Sequence, residues 1–158
     1  MSTSPLLLDQ IMAVMEAAFD PAYGEAWTRR QVADALSMPS THALVVDEEG
    51  KPMPDGMASS FAPAGFVLSR HVLDEEELLL IAVTPDCRRR GVGAALIRLL
   101  FEAARKRGIN RIYLEMRRGN PALHLYRKLG FEPIGERPNY YRKANGERID
   151  AITFGRSI

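Results

Sequence analysis

The run Leu78-Leu79-Leu80-Ile81-Ala82-Val83-Thr84-Pro85-Asp86-Cys87-Arg88-Arg89-Arg90-Gly91-Val92-Gly93, continuing into Ala94-Ala95-Leu96-Ile97-Arg98-Leu99-Leu100-Phe101, divides into three parts. Residues 78–83 are continuously apolar, the pattern of a short strand buried on both faces. Residues 84–90 read as a turn, because Pro85 cannot continue a sheet ladder and three arginines follow it. Residues 91–107 predict a helix. Val92, Ala95, Leu96, Leu99, Leu100 and Ala103 recur at helical spacing, and Gly108 stands where a C-terminal cap belongs.

A strand, a basic glycine-bearing turn and a helix together make an anion cradle. The first helical turn leaves backbone N–H groups unpaired at the positive end of the helix dipole. Glycines there let a ligand approach the backbone, and arginines add charge. The ligand this favours is a pyrophosphate. The P-loop pattern is absent, and so is the dinucleotide pattern, since Leu96 stands where its third glycine would be. What remains, Arg88-x-x-Gly91-x-Gly93, resembles the coenzyme A loop of the GNAT acetyltransferases. That resemblance assigns Arg88, Arg89, Arg90, Gly91, Val92, Gly93 and Ala94 to the coenzyme. The bland alternative is a glycine-rich turn with solvated arginines.

Composition bounds the rest. With 158 residues the chain suits one domain, residues 1–158. Its 46% apolar and 26% charged content excludes disorder throughout. A net charge of +1 gives no drive toward nucleic acid or anionic membrane, and neither is expected as a partner. A single cysteine, Cys87, rules out an internal disulfide and suits a reducing cytosol. No apolar run approaches the ~18 residues of a membrane span, and no secretory signal is visible, so the expected location is cytoplasmic.

Along the chain, a helix opens at Pro5 or Asp9 with an apolar stripe of Leu8, Ile11, Met12, Met15 and Phe19, and Asp20-Pro21 stops it. Residues 23–28 form a loop with two aromatics, and Thr28 N-caps a second helix reaching Leu36. Residues 41–47 and 65–72 are strands; residues 48–63 are mostly loop, and residues 74–76 turn the chain into the apolar strand. These three strands predict an antiparallel meander. Residues 111–117 alternate as a strand, and the strand–helix–strand unit implies a parallel crossover. Asn120-Pro121 opens a last helix capped by Gly130; residues 131–134 and 149–154 are strands, and residues 137–145 are a loop ending at the Asn145-Gly146 turn.

A second motif, Asn120-x-Ala122-x-x-x-Tyr126-x-x-x-Gly130-Phe131, is similar to the GNAT segment in which an asparagine-bearing helix ends in Tyr-x-x-x-Gly-Phe. Leu114-Glu115-Met116-Arg117, Arg137-Pro138-Asn139-Tyr140-Tyr141 and Gly146-Glu147-Arg148-Ile149-Asp150-Ala151 resemble the bacterial ribosomal-protein alanine N-acetyltransferase (RimI) family within it. Glu25-Ala26-Trp27-Thr28 echoes that family's early aromatic stretch. The spacing from Asn120 to Tyr126 is one residue shorter than usual, and the usual first strand is expected to be missing or very short. The resemblance implies an α/β (α+β) fold: a mixed, mostly antiparallel sheet, helices on both faces, and one parallel strand pair around the coenzyme A site. It also implies acetyl-CoA as co-substrate and a protein or peptide N-terminus as acceptor.

The chemistry asks for little. An α-amine has a reference pKa near ~7.7–8.0, so a carboxylate lifted by partial burial can deprotonate it. The resemblance makes Glu115 the proton acceptor; a solvated glutamate paired with Arg117 or Arg111 is the equal alternative. It makes Tyr126 the proton donor to the departing thiolate, against plain aromatic packing. Asn120 joins the coenzyme residues. Ile81, Ala82 and Val83 offer a strand edge along which an extended pantetheine arm can lie. Trp27, Tyr140 and Tyr141 are candidates for the wall of a peptide groove. Cys87 reads as filler. His42, His71 and His124 sit in separate elements without ligand spacing, so no metal is expected. The competing readings are transfer to a small amine or a lysine, and a non-catalytic acyl-CoA-binding domain.

Overall fold

The computed structural model describes residues 5–19, 26–53 and 62–158. The expected stop at Asp20-Pro21, the loop around Tyr23, the possible first strand at the N-terminus and half of the 48–63 loop lie outside them. Four α-helices and six strands follow: α1 (Pro5–Ala18), α2 (Arg29–Leu36), β1 (Thr41–Val46), β2 (Gly65–Val72), β3 (Glu75–Val83), α3 (Val92–Lys106), β4 (Arg111–Arg117), α4 (Leu123–Lys128), β5 (Glu132–Arg142) and β6 (Arg148–Ser157).

The strands form one sheet in the order β1-β2-β3-β4-β6-β5. β1, β2 and β3 make the expected meander. Among the described residues β3 and β4 are the one parallel pair, and the other strand pairings are antiparallel. Helices cover both faces. α3 and α4 bury Leu96, Ile97, Leu100, Phe101 and Tyr126 against Ile112, Leu114 and Phe154. α1 and α2 bury Ile11, Val14, Met15 and Val32 against Val45, Phe66 and Leu68. The expected mixed sheet with helices on both faces is the observed architecture.

Local signals explain the helix ends. The Thr28 side chain accepts from the Gln31 N–H, and the Gln31 side chain accepts from the Thr28 N–H. This closed capping box sets the start of α2. α3 sits close on the sheet because Gly65 has no side chain: a Cβ there would stand 2.9 Å from Leu96 Cδ1 and 3.0 Å from the Ala82 carbonyl oxygen.

Two expectations change. β3 begins at Glu75, and the turn is Leu73-Asp74, because cross-strand pairing of Glu75 and Glu76 with Val72 and His71 extends the strand beyond its apolar run. The apolar run of β3 packs on both faces as expected: Leu78, Ile81 and Val83 join the α3–α4 cluster, and Leu79, Leu80 and Ala82 the α1–α2 cluster. Residues 137–142 are strand and not loop, since β5 runs to Arg142 and pairs with β6, while residues 143–146 form the expected turn. Pro138 and Asn139 do break the ladder, but only as a bulge: Arg137 pairs with Ala151 and Tyr141 with Ile149, leaving three residues opposite Asp150.

Candidate active site

The parallel pair is where the sheet opens. β3 and β4 pair only from Glu75–Arg111 to Leu78–Leu114. Leu79 is then an extra residue in β3, since Leu80 pairs with Leu68 but Leu78 with Ser69. A bulge bends the strand that carries it. Beyond it, residues 80–83 of β3 stay on β2 and residues 115–117 of β4 stay on β6, without a partner across the gap among the described residues. The result is a wedge. One side is the open edge of β3, including Ile81, Ala82 and Val83. On the other side, Glu115 is the first residue of β4 past the last β3–β4 pair.

The basic turn closes one end of the wedge. Pro85–Cys87 is a single 3₁₀ turn, and residues 88–91 lead into α3. Gly91 is the N-cap at φ +82, a left-handed conformation that favours glycine, and it offers no side chain to the first turn. A Cβ at Gly91 would meet no atom within 4 Å. Gly93 has a different reason: a Cβ there would stand 3.1 Å from Leu125 Cδ2, so it lets α4 approach α3. Val92 is buried, Ala94 is half-buried, and Arg89 (itself at φ +64) and Arg90 are exposed. Arg88 is differently placed. Its Nε donates to the Val83 carbonyl at 3.2 Å and its Nη2 to the Ala18 carbonyl at 2.7 Å. That guanidinium ties β3 to the end of α1 and so holds the turn in place.

Asn120 precedes α4, and its Oδ1 accepts from the Ala122 N–H at 2.9 Å. Its side chain thus organises the start of the helix that carries Tyr126. Tyr126 is 4% exposed, packs edge-on against Phe131 with ring centroids 5.7 Å apart, and belongs to the α3–α4 core. Glu115 is mostly buried, its side chain 17% exposed, and its described ionic partner is Arg137. Its Oε2 lies 3.1 Å from Arg137 Nε and accepts a long contact, 3.4 Å, from Thr153 Oγ1. Tyr140 is half exposed; it stacks edge-on with Tyr141 at 5.2 Å and lies 5.1 Å under the Arg137 guanidinium. Trp27 is half-buried and packs at the margin of the α1–α2 cluster.

Arg137 and Thr153 are the site residues that reading the sequence missed. Arg137 carried a signal, because it opens the Arg-Pro-Asn-Tyr-Tyr motif. Thr153 carried none. Further support comes from the opposite face of β5 and β6. Asp150 Oδ1 accepts the Asn139 N–H at 2.9 Å, Arg118 Nε contacts Asp150 Oδ2 at 3.4 Å, and Arg118 also pairs with Glu136. The Asn139 N–H holds the Asp150 carboxyl below its usual range, and Glu136 and Arg118 add to that. Asn139 sits at φ +57, the apex of the bulge. The Asp-Ala ending and the Arg-Pro-Asn-Tyr-Tyr stretch are therefore one device, which fixes the bulge bearing Tyr140.

The histidines are not all separate. β1 and β2 bring His42 Nε2 within 2.7 Å of His71 Nδ1, next to the Glu76–Arg107 pair. The ring nitrogens are bonded to each other. Cys87 packs against the core as expected of filler. Two concavities, of about 220 and 400 Å³, lie on the flank of α3 and β6, lined by Arg98, Arg105, Arg111, Lys128 and Arg156 among others; they share no residue with the wedge.

The donor chemistry of the wedge fits coenzyme A: an uncapped helix start for a pyrophosphate, then a free strand edge for an extended amide-bearing arm. The GNAT acetyltransferase family model matches residues 8–131. The chain belongs to the GNAT acetyltransferase family. Over 90 residues this GNAT chain is 44% identical to the ribosomal protein bS18-alanine N-acetyltransferase of Escherichia coli (strain K12), covering 56% of this chain and 60% of that protein. A Bacillus subtilis (strain 168) relative is 31% identical over 128 residues, 80% of this chain and 77% of that protein. The crystal structure of the Escherichia coli ribosomal-protein-S18-alanine N-acetyltransferase superposes with a TM-score of 0.79 at 30% identity, covering 100% of this chain and 92% of that one.

Proposed function

We propose that this chain is an acetyl-CoA-dependent N-acetyltransferase that acetylates a protein N-terminal α-amine, of the ribosomal-protein alanine type. The observation that carries the reading is the position of Glu115. It stands at the root of the wedge, between the free edge of β3 and the Tyr140 bulge. The similarity to enzymes named for that reaction supports the choice of acceptor.

Acetyl-CoA, when bound, supplies an acetyl group activated as a thioester. The chain's own residues do the rest. The N–H groups at the start of α3 and the exposed Arg89 and Arg90 bind the pyrophosphate. The free edge of β3 at Ile81, Ala82 and Val83 orients the pantetheine and polarises the carbonyl. Glu115 takes the proton from the attacking amine; an α-amine near ~7.7–8.0 needs only a mild base. Tyr126, on a separate element, gives a proton or a hydrogen bond to the thiolate. Tyr140 and Tyr141 wall the side from which a peptide enters, which favours a peptide over a small amine.

Mass spectrometry of acetyl transfer onto N-terminal peptides, with a lysine peptide and small amines as controls, tests the acceptor. Transfer confined to the α-amine is the expected result. Transfer to small amines or lysine alone rejects the acceptor, and no transfer with tight acetyl-CoA binding supports a non-catalytic domain. For the coenzyme, Gly91→Asp places a negative charge in an open cradle, at a left-handed backbone angle that strains aspartate less than most other side chains. Calorimetry should then show acetyl-CoA affinity reduced by about tenfold or more, roughly 1.4 kcal/mol. Unchanged affinity rejects the cradle.

A further inference from the structure

We propose that Arg137 is a positioning residue for the proton acceptor, fixing one oxygen of Glu115 so that the other faces the incoming amine. The proposal rests on the role given to Glu115 above.

Register makes the contact possible. Glu115 pairs with Thr153 on β6, and Arg137, on β5, pairs with Ala151 two residues earlier. Side chains alternate along a strand, so Glu115, Thr153, Ala151 and Arg137 share one face of the sheet. Ala151 is fully buried and small, and it leaves the diagonal across β6 open. The Arg137 guanidinium crosses it to reach Glu115 Oε2 at 3.1 Å. Thr153 Oγ1 points at the same oxygen. Both described contacts fall on Oε2, which leaves Oε1 to receive the proton.

Arg137 is itself held. Its guanidinium lies over the Tyr140 ring, and the Asn139–Asp150–Arg118–Glu136 network pins the bulge between them. Its side chain is 61% exposed, against 17% for Glu115. An ion pair that open contributes little to stability. What it contributes is direction: a carboxylate free to rotate would present its oxygens to the amine only part of the time, and small misplacements of a reacting group are costly in rate. The same guanidinium touches the wall of the peptide groove, so the acceptor's entry and the setting of the base involve one side chain.

The test compares Arg137→Ala, Arg137→Lys and Glu115→Gln on whichever amine the wild type accepts. The expected result is a fall in kcat of about tenfold to a hundredfold for Arg137→Ala. Acetyl-CoA affinity and Tm should hold, Arg137→Lys should keep part of the rate, and millimolar ethylguanidine should restore part of it to Arg137→Ala. A purely structural arginine would not respond to added guanidine. Wild-type kcat in Arg137→Ala overturns the proposal, as does a change in peptide KM alone or a loss without rescue. A slow Glu115→Gln beside a normal Arg137→Ala rejects Arg137 only. A normal Glu115→Gln rejects the base and Arg137 with it, while wild-type transfer to N-terminal peptides still stands as the test of the acceptor.

Discussion

Glu115→Gln should lower kcat for peptide acetylation by about 10²–10⁴-fold, the range that a positioned general base supplies. Acetyl-CoA affinity should hold, because the residues proposed to bind it lie on β3 and α3, across the wedge from Glu115. Folding should hold too. The substitution breaks one ion pair, whose other member, Arg137, is 61% exposed and remains hydrated. The amide keeps the shape and removes the basic oxygen, so the rate loss reads the proton transfer and not the fold. Equal kcat in wild type and Glu115→Gln would remove Glu115 from the mechanism.

Arg107→Met should destabilise the protein by about 3–5 kcal/mol, the usual result of leaving a buried charge without its partner. Glu76 is fully buried. Arg107 Nη2 donates to both of its oxygens, at 2.6 and 2.7 Å, Arg107 Nε adds a contact at 3.2 Å, and Ser69 Oγ donates at 2.7 Å. Removing the guanidinium leaves the carboxylate with one neutral donor. Against a total stability of about 5–15 kcal/mol, that is a large fraction. Urea denaturation checks it, and a loss under about 1 kcal/mol would mean that the pair contributes no more than a surface one.

The neighbouring His42 sets a pH slope on the same cluster. Burial holds its pKa below 6.5, with Arg107 and His71 adding to the effect and Glu76 opposing it. As pH falls below about 6.5, the unfolded chain takes up a proton that the folded chain refuses, so stability falls with pH until the lowered pKa is passed. Above that window the group contributes nothing. His42→Gln should show a flatter decline in Tm on the acid side; an unchanged slope would remove His42 from it.

The coenzyme side was legible because its chemistry is local. An apolar strand, a proline, arginines and two glycines within sixteen residues specify a turn and a helix start, and the unpaired N–H groups of that start follow from backbone geometry alone. The same holds for α2, whose capping box spans four residues. The Arg137-to-Arg142 stretch was misread for the opposite reason. Pro138 and Asn139 are strong loop signals, but pairing of Arg137 with Ala151 and Tyr141 with Ile149 keeps the strand on either side and confines the irregularity to a bulge.

By itself, the sequence determined the order of elements, the mixed α/β character and the helix start at Gly91, and it named the candidate pair Glu115 and Tyr126. Only the tertiary structure decided the register. It put the extra residue of β3 at Leu79, so that the parallel pair ends at Leu78–Leu114 and the wedge opens beside Glu115. It brought Arg137 to Glu115 from 22 positions away, His42 to His71 from 29, and Arg107 to Glu76 from 31. No local pattern encodes those meetings. A strand's side chains change face with a shift of one residue, and which shift is adopted depends on how the buried faces of six strands and four helices pack together.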